Sequence, residues 1–192
     1  LAISQKDYNY FKSLYKNVYK LTAYNAYTEV NIIEGKGDYV LYHGNLEVSE
    51  NYAAAEYLVE TFKDTDINLK IAGMNPPQHL SQIIDYEDNI ELIDSPDDKT
   101  LYDLIRNAQI NILVTAQSTG LKLKLLNTLF NGRFCLVNEK MVEELDVNGL
   151  CYVVNDMNSI RFAANELMNK TFDQHQIEKR RENMKRFYNI EE

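Results

Sequence analysis

Short apolar runs alternate with amphipathic stretches along most of this chain. The runs are four or five residues long and rich in branched side chains, which is typical of strands buried on both faces of a sheet. The predicted strands are residues 39–43, 68–72, 90–93, 110–114 and 134–137, with an edge strand at 152–154. Because helical patterns separate successive strands, the sequence predicts an α/β fold: a three-layer, doubly wound parallel sheet of the Rossmann-like kind.

The amphipathic stretches predict the helices and several of their ends. Predicted helices cover residues 4–15, 53–62, 80–86, 121–131, 157–170 and 173–188. A further helix is predicted to start at residues 94–97 and to end near residue 109, and a short one starts at residue 141. Ser49 is the predicted N-cap of the second helix, and acidic residues at 97 and 98 suit the start of the fourth. The last helix is predicted to carry its Lys and Arg side chains on its outer face.

The segment from residue 110 to residue 138 organises the rest of the chain. A buried strand is followed directly by a small polar loop, residues 115–120, and then by a helix that Asn131 and Gly132 end. In a parallel sheet such a loop lies at the carboxyl edge of the strands, with the start of the next helix facing it. An anion is the expected ligand at such a helix start.

The ends of the predicted strands supply the candidate binding residues. They are the turn at Gly44-Asn45, the turn at Gly73-Met74-Asn75, the exit at Ile93-Asp94, and the loop 115–120. Hydroxyls, an amide and backbone N–H groups in that loop suit a diphosphate. A loop capped by Ser118 or Thr119 with no ligand is the alternative. Lys122 and Lys124 are two residues apart and cannot share a helical face, so each is predicted to lie on the solvated surface.

Composition excludes several classes of function. The 192 residues include 45% hydrophobic and 26% charged side chains, enough for the core of one domain or slightly more. A net charge of −9 without a basic stripe argues against a nucleic-acid surface. The chain shows no apolar run of about 20 residues and no signal-peptide pattern. We therefore predict a soluble, cytoplasmic protein and leave peripheral contact with a membrane open.

Metal and disulfide chemistry is not expected. Asp64-Thr65-Asp66 falls between a predicted helix end and a strand start, so we interpret it as a solvated turn at the wrong edge of the sheet. The three histidines are scattered along the chain and imply no metal cluster; they are His43, His79 and His175. Cys135 and Cys151 lie in apolar, strand-like contexts, which favours reduced thiols.

The loop and helix at the centre of the chain also carry a resemblance. Residues 119–127, TGLKLKLLN, followed by Gly132-Arg133 before a strand, resemble the donor-binding segment of family 4 (group 1) glycosyltransferases of the GT-B fold. Many relatives there have a Gly, a basic residue, a Lys-aliphatic-Leu-Glu run, and then a Gly before a buried strand. The resemblance extends from residue 39 to about residue 169.

The resemblance implies a domain arrangement and an activity. Residues 37–172 would form the C-terminal, nucleotide-sugar-binding half of a GT-B fold, after a crossover remnant at 1–36 and before a C-terminal helix at 173–192. The activity would be transfer of a sugar from a nucleoside diphosphate donor to an unknown acceptor, with no metal or other cofactor. The partner would be the N-terminal, acceptor-binding domain of the same protein, and this chain alone would be inactive. The implied donor-binding residues are Gly44, Asn45, Asn75, Thr115, Gln117, Ser118, Thr119, Gly120, Leu121, Lys122 and Asn127.

Several signature side chains differ from those of the relatives. Relatives carry two glutamates about two helical turns apart, and Thr119 and Asn127 stand at those positions; Asn127 keeps a carbonyl acceptor for the donor ribose but lacks the charge. Asn45 and the Ser49-Glu50 region replace an Arg and a Lys that clamp the diphosphate. A non-catalytic binding or scaffolding module is therefore the second hypothesis. A different doubly wound domain, such as a flavodoxin-like one, is the third hypothesis. This chain lacks an acidic cluster after its first strand, which argues against a phospho-receiver.

Overall fold

The structure, a computed structural model, describes residues 5–19, 29–117, 122–143, 147 and 149–185. Its centre is a six-stranded sheet in which every paired strand is parallel, in the order β3-β2-β1-β4-β5-β6. The strands are β1 Val40–His43, β2 Leu69–Gly73, β3 Ile90–Asp94, β4 Ile110–Leu113, β5 Phe134–Val137 and β6 Tyr152–Val153. The predicted strands are confirmed, each within one residue at either end.

Burial along the strands follows their position in the sheet. All four residues are buried in each of β1, β4 and β5, which lie in the interior of the sheet. Both residues of β6 are exposed, as expected for an edge strand. In register, Val40 of β1 lies between Leu69 of β2 and Ile110 of β4. The continuous apolar runs in the sequence therefore mark strands covered on both faces.

Helices cover both faces of the sheet. They are α1 Gln5–Leu14, α2 Ser49–Phe62, α3 Gln78–Ile84, α4 Asp98–Asn107, α5 Leu123–Asn131, α6 Glu139–Val142, α7 Met157–Met168 and α8 Gln174–Met184. The chain moves outward in one direction from β1 to β3 and then returns past β1 to β4. Right-handed crossovers place α2 and α3 on one face and α4 and α5 on the other. Helix α2 contacts α3 and α7, and α5 contacts α4 and α8, which completes the three predicted layers.

Acidic residues cap three helices, but the prediction for Ser49 is wrong. The side chains of Asp97, Asp156 and Asp173 accept hydrogen bonds from backbone N–H groups at the starts of α4, α7 and α8. Ser49 is instead the first residue of α2, and Val48 precedes it without a side-chain cap. The reason is that the Val48 carbonyl already accepts the first bonds of the helix, from the Asn51 N–H at 3.0 Å and the Tyr52 N–H at 3.1 Å, so Val48 takes the cap position.

Helix α8 also differs from the prediction, because Arg180 points inward. Only 4% of Arg180 is exposed. Its guanidinium donates to the carbonyls of Leu129 at 3.0 Å, Arg133 at 3.1 Å and Leu150 at 3.4 Å. The buried charge thus satisfies carbonyls of three separate segments and fixes α8 to the sheet.

Two further properties bear on the predictions from composition. Within the described ranges no helix is both long and apolar enough to cross a membrane. Cys135 and Cys151 are free thiols, the first buried and the second partly exposed.

Candidate functional site

The candidate site lies where the order of the strands reverses. From β1 the chain continues to β2 on one side, whereas β4 pairs with β1 on the other side. Loops that leave the carboxyl ends of β1 and β4 therefore diverge and open a crevice between them. Helices α2 and α5 begin next to this crevice and supply most of its side chains.

The turn after β1 is held by its own hydrogen bonds. The Gly44 N–H donates to the Ala72 carbonyl at 3.1 Å, and a side chain at Gly73 would collide with the Gly44 carbonyl. The Asn45 side-chain oxygen accepts from the Glu47 N–H at 3.1 Å. The exits of β1 and β2 are thereby packed closely, and the Asn45 amide stabilises the turn itself.

Asn75 connects the exits of three strands. Its φ of 50° lies in the left-handed region, which asparagine tolerates better than most residues. Its N–H donates to the Ser95 hydroxyl at 3.2 Å, and its side-chain amide donates to Glu47 Oε2 at 3.3 Å. The exits of β1, β2 and β3 are thus joined through this one residue.

The loop after β4 is bound by a carboxylate from α2. Oε1 of Glu50 accepts hydrogen bonds from the backbone N–H groups of Ala116 and Gln117, each at 3.0 Å, and from the Thr115 hydroxyl. Two adjacent N–H groups and a hydroxyl therefore converge on one negatively charged oxygen. Such a convergence of backbone donors is an anion-binding arrangement, and in this structure the anion is a side chain of the chain itself.

The remaining main-chain groups of this loop also have partners. Asn138 accepts from the Thr115 N–H at 3.2 Å and donates to the Thr115 carbonyl at 2.7 Å. The Lys140 ammonium donates to the Ala116 carbonyl at 2.9 Å, and the Lys122 ammonium donates to the Gln117 carbonyl at 2.9 Å. Every backbone N–H and C=O group of residues 115–117 is therefore hydrogen-bonded to a side chain.

Electrostatics at the loop keep Glu50 ionised. Burial alone would raise the pKa of Glu50, but hydrogen bonds from Thr115, Gln117 and Ala116, with the Lys122 charge nearby, bring it below its ordinary value. Above that pKa the site therefore holds a carboxylate among backbone donors, with a lysine close by.

Lys124 also faces the site, which corrects the prediction that it lies on the solvated surface. Its Nζ lies 3.3 Å from Asn51 Oδ1 and 5.6 Å from the centre of the Tyr42 ring. Burial lowers the pKa of Lys124, and the negative charge of Glu50 partly offsets that effect. The prediction failed because Lys122 precedes α5 and has φ −86° and ψ 62°, so the two lysines are not two positions of one helix.

His43 lies at the end of β1, below this cluster. It is 4% exposed, and its Nε2 is 3.5 Å from the Thr128 hydroxyl. Burial, followed by the nearby Lys124 charge, lowers the pKa of His43 to about 4. The imidazole is therefore neutral at physiological pH and adds no positive charge to the site.

Asn127 lies further along α5, and its carbonyl oxygen is engaged within the helix. Oδ1 of Asn127 accepts from the Asn131 side-chain amide at 2.8 Å, and the Asn127 backbone carbonyl accepts from the same amide at 2.9 Å. In this structure the ribose acceptor implied by the resemblance is thus directed toward Asn131.

The predicted site residues form two groups. Thr115 and Gln117 donate directly to the Glu50 carboxylate, and Lys122 binds the same loop through the Gln117 carbonyl. Gly44 and Asn45 belong to the adjoining turn, where the Asn51 side chain donates to the Asn45 carbonyl at 2.9 Å and meets Lys124. The predictions for Ser118, Thr119, Gly120 and Leu121 lie outside the described residues.

Sequence reasoning missed Glu50, Asn138 and Lys140 as members of the site. One signal for Asn138 was present, because it directly follows a buried strand, as the Thr115 loop does. The register pairs Leu113 of β4 with Val137 of β5, which brings the two strand exits side by side. For Glu50 one signal was its place in the Ser49-Glu50 region, where the resemblance implies a basic clamp. Lys140 has no comparable signal, since it reaches the loop from a helix elsewhere in the chain.

A cavity of about 330 Å³ adjoins the loop between α2 and α7. Glu50 and Thr115 lie at its polar side, and most other lining residues are apolar or small. The lining is Glu50, Ala53, Ala54, Tyr57, Val114, Thr115, Ala116, Asn138, Val154, Asn155 and Ile160. Glu50 and the first two residues of the β4 loop thus border an open space of ligand size together.

Metal ligands are not grouped in the part of the chain that the structure describes, where three or more His, Cys, Asp or Glu side chains nowhere come together. Asp64-Thr65-Asp66 lies between the end of α2 and the start of β2, at the amino edge of the sheet, as predicted.

No protein-family model matches this sequence, and no curated protein matches it either. Solved structures do resemble it. A mutant of TarM from S. aureus, in complex with fondaparinux, alpha-GlcNAc-glycerol and UDP, superposes with a TM-score of 0.66 at 14% identity; the alignment covers 98% of this chain and 40% of that one. The lipopolysaccharide outer core galactosyltransferase WaaB, in its apo form, gives 0.65 at 16% identity over 98% of this chain and 57% of that one.

A third similar structure is the UDP-forming alpha,alpha-trehalose-phosphate synthase from Burkholderia xenovorans, bound to glucose-6-phosphate. Its TM-score is 0.57 at 13% identity, over 80% of this chain and 41% of that one. This chain therefore spans less than two thirds of the length of each of these proteins. Identities this low establish the fold alone. The chain has an α/β, Rossmann-like fold that matches part of these GT-B glycosyltransferase structures.

Proposed function

We propose that this chain is the C-terminal, donor-binding domain of a family 4-like GT-B glycosyltransferase of the cytoplasm. It binds a nucleoside diphosphate sugar, and an N-terminal domain of the same protein supplies the acceptor site. The observation that carries the proposal is the group of donors after β4. Two adjacent backbone N–H groups and a hydroxyl converge there on one anionic oxygen, at the point where the strand order reverses.

The chemistry of this group suits a diphosphate. Backbone N–H groups that point at one position bind phosphate oxygens without any change of shape. Lys122 and Lys124 add two positive charges on the same side of the crevice. The proposed reaction requires no metal or cofactor, because these groups can balance the charge of the leaving diphosphate.

The flanking residues then have positional roles. Gly44 and Asn45 shape the turn opposite the loop, and Asn75 closes the crevice at the β2 exit. Asn127 would turn from Asn131 to accept a hydrogen bond from the donor ribose. The similar TarM structure holds UDP, which supports a nucleoside diphosphate as the first ligand to test.

Calorimetric titration of the 192-residue chain tests the proposal. Uridine, guanosine and adenosine diphosphates are titrated at low and moderate salt, and uridine without phosphate is the control. We expect one diphosphate to bind, with an affinity that falls as salt rises because charges screen each other. Uridine should bind far more weakly. Equal binding of uridine and uridine diphosphate would contradict a diphosphate site.

A non-catalytic binding or scaffolding module is the second candidate, and Glu50 favours it. The resemblance implies a basic clamp in this region, whereas the chain places a carboxylate there and directs it into the donor group. A diphosphate would meet a negative charge in place of a positive one. Absence of binding for all three diphosphates, in the wild type and after removal of Glu50, would favour this candidate.

A further inference from the structure

We propose that Glu50 is an internal competitor of the donor and so determines which ligands the site accepts: its carboxylate occupies the anion position of the β4 loop, and a donor phosphate binds only by displacing it. This inference rests on the proposed function. It assigns to Glu50 a role opposite to that of the basic side chains which the resemblance implies for this region.

Competition follows from the number of hydrogens available. Each backbone N–H group has one hydrogen to donate. That of Ala116 points at Glu50 Oε1 at 3.0 Å, and that of Gln117 is shared between Glu50 Oε1 at 3.0 Å and the Thr115 hydroxyl oxygen at 3.1 Å. A phosphate oxygen that uses these two groups must take the same position. The carboxylate and the phosphate therefore cannot be bound by the loop at the same time.

Charge, like geometry, prevents the Glu50 carboxylate and a phosphate from binding the loop together. A diphosphate beside an ionised Glu50 would bring like charges to within a few ångströms of each other, which is unfavourable in a partly buried site. When the carboxylate leaves, the positive charges of Lys122 and Lys124 attract the phosphates without an opposing negative charge beside them. The loss of one anion is then balanced by the arrival of another.

The structure provides a place for the displaced side chain. Glu50 is half-buried and borders the cavity of about 330 Å³, where its nearest helical neighbours are the small residues Ala53 and Ala54. Because Glu50 lies in the first turn of α2, its charge stays near the positive end of the helix dipole after it moves. The Tyr42 hydroxyl holds the helix start through the Asn51 carbonyl at 3.0 Å, so the side chain can move without the helix.

The experiment compares two variants with a matched control. Glu50→Ala removes the competitor, and Glu50→Gln keeps its shape but removes its charge. Glu60→Ala removes a carboxylate of the same helix that is 57% exposed and forms a salt bridge with Lys63 at the helix end. It therefore changes the net charge by the same amount as Glu50→Ala. All proteins are titrated with inorganic pyrophosphate and with the three nucleoside diphosphates.

We expect Glu50→Ala to bind pyrophosphate and one nucleoside diphosphate about tenfold or more tightly than the wild type, as for the loss of a competing charge-assisted contact. Glu50→Gln should show a smaller gain, and Glu60→Ala should match the wild type. Hydrogen exchange of the Ala116 and Gln117 amides provides a second readout. Exchange should quicken in ligand-free Glu50→Ala and slow again when pyrophosphate is added.

Three results would overturn the inference. Equal binding by the wild type and both Glu50 variants would show that Glu50 does not compete, while donor binding itself would stand. Weaker binding by Glu50→Ala, with folding intact, would make Glu50 a positioning residue that orders the loop for its ligand. Absence of binding in every protein would reject both this inference and the proposed donor site.

Discussion

Glu50 and Lys122 hold opposite sides of the same three-residue loop. The Glu50 carboxylate accepts hydrogen bonds from two backbone N–H groups, and the Lys122 ammonium donates one to the Gln117 carbonyl. A loop at the carboxyl edge of a sheet has no ladder partners, so these side chains supply the hydrogen bonds that strand neighbours would otherwise provide. The position of each charge is therefore set by the main chain of the loop, and the same charges decide which ligand can approach.

We predict that Lys122→Ala weakens nucleoside diphosphate binding about tenfold to hundredfold, the value of a charge-assisted contact of about 1.5 to 3 kcal/mol. The free energy of unfolding should fall by only about 1 kcal/mol, since the lost bond to Gln117 is partly exposed. Titration calorimetry and urea unfolding measure the two effects.

Matched changes separate this role from general effects on charge. Lys170→Ala removes an exposed lysine side chain at the amino edge of the sheet, where the Lys170 backbone carbonyl accepts a hydrogen bond from Gln109. Because this edge is opposite the site, the change should leave binding unchanged. Asn127→Ala should weaken binding less than Lys122→Ala, because it removes a neutral contact to the ribose. Equal affinity of Lys122→Ala and the wild type would reject the role of this lysine.

At the scale of elements, helix α8 depends on an arginine more than on an apolar face. Ile177, Arg180 and Met184 lie on one stripe of the helix and are its buried residues. The apolar stripe alone is narrow, and Arg180 extends it by donating to carbonyls near α5, β5 and β6. Removing the guanidinium would leave these carbonyls buried without a donor, which is costly.

We predict that Arg180→Met lowers the free energy of unfolding by about 3 kcal/mol, the scale of a buried charged contact whose partners lose their donor. Urea unfolding monitored by circular dichroism measures the change. Lys179→Met is the control, because the neighbouring side chain is exposed. A loss no larger for Arg180→Met than for Lys179→Met would show that α8 is held by its apolar contacts alone.

At the scale of the whole molecule, the crevice lies where the order of the strands reverses. Its donors and lysines come from α2, α5, and the loops after β1 and β4, which are all parts of one sheet edge. Transfer between a donor and an acceptor needs both substrates held in a reactive orientation. The proposed function assigns the acceptor to a second domain.

We predict that the 192-residue chain binds its donor without transferring or hydrolysing the sugar. Release of free nucleoside diphosphate from uridine, guanosine and adenosine diphosphate sugars is measured over hours, with binding of the same ligands as the positive control. Turnover clearly above the rate without protein would mean that this domain alone carries the catalytic groups.

The local pattern of apolar and polar residues was sufficient to predict the strands and helices and their order along the chain. The strands are short apolar runs buried on both faces, and their positions follow from the residues themselves; alternation with helices then implies the parallel, doubly wound sheet. The loop after β4 was identified for the same reason, because a strand followed by a helix places it at the carboxyl edge. The ends of helices were less certain, as Ser49 and Lys122 illustrate.

The partners of that loop were decided only by the tertiary structure. Glu50 lies 65 residues before Thr115 in the chain, and Lys140 lies 24 residues after Ala116. Their meeting depends on the register of β1, β4 and β5 and on where α2 and α6 begin, and none of these is encoded in a local pattern. Arg180 and Lys124 are similar cases, because a long polar side chain is buried or exposed according to which carbonyls and amides the fold brings within its reach.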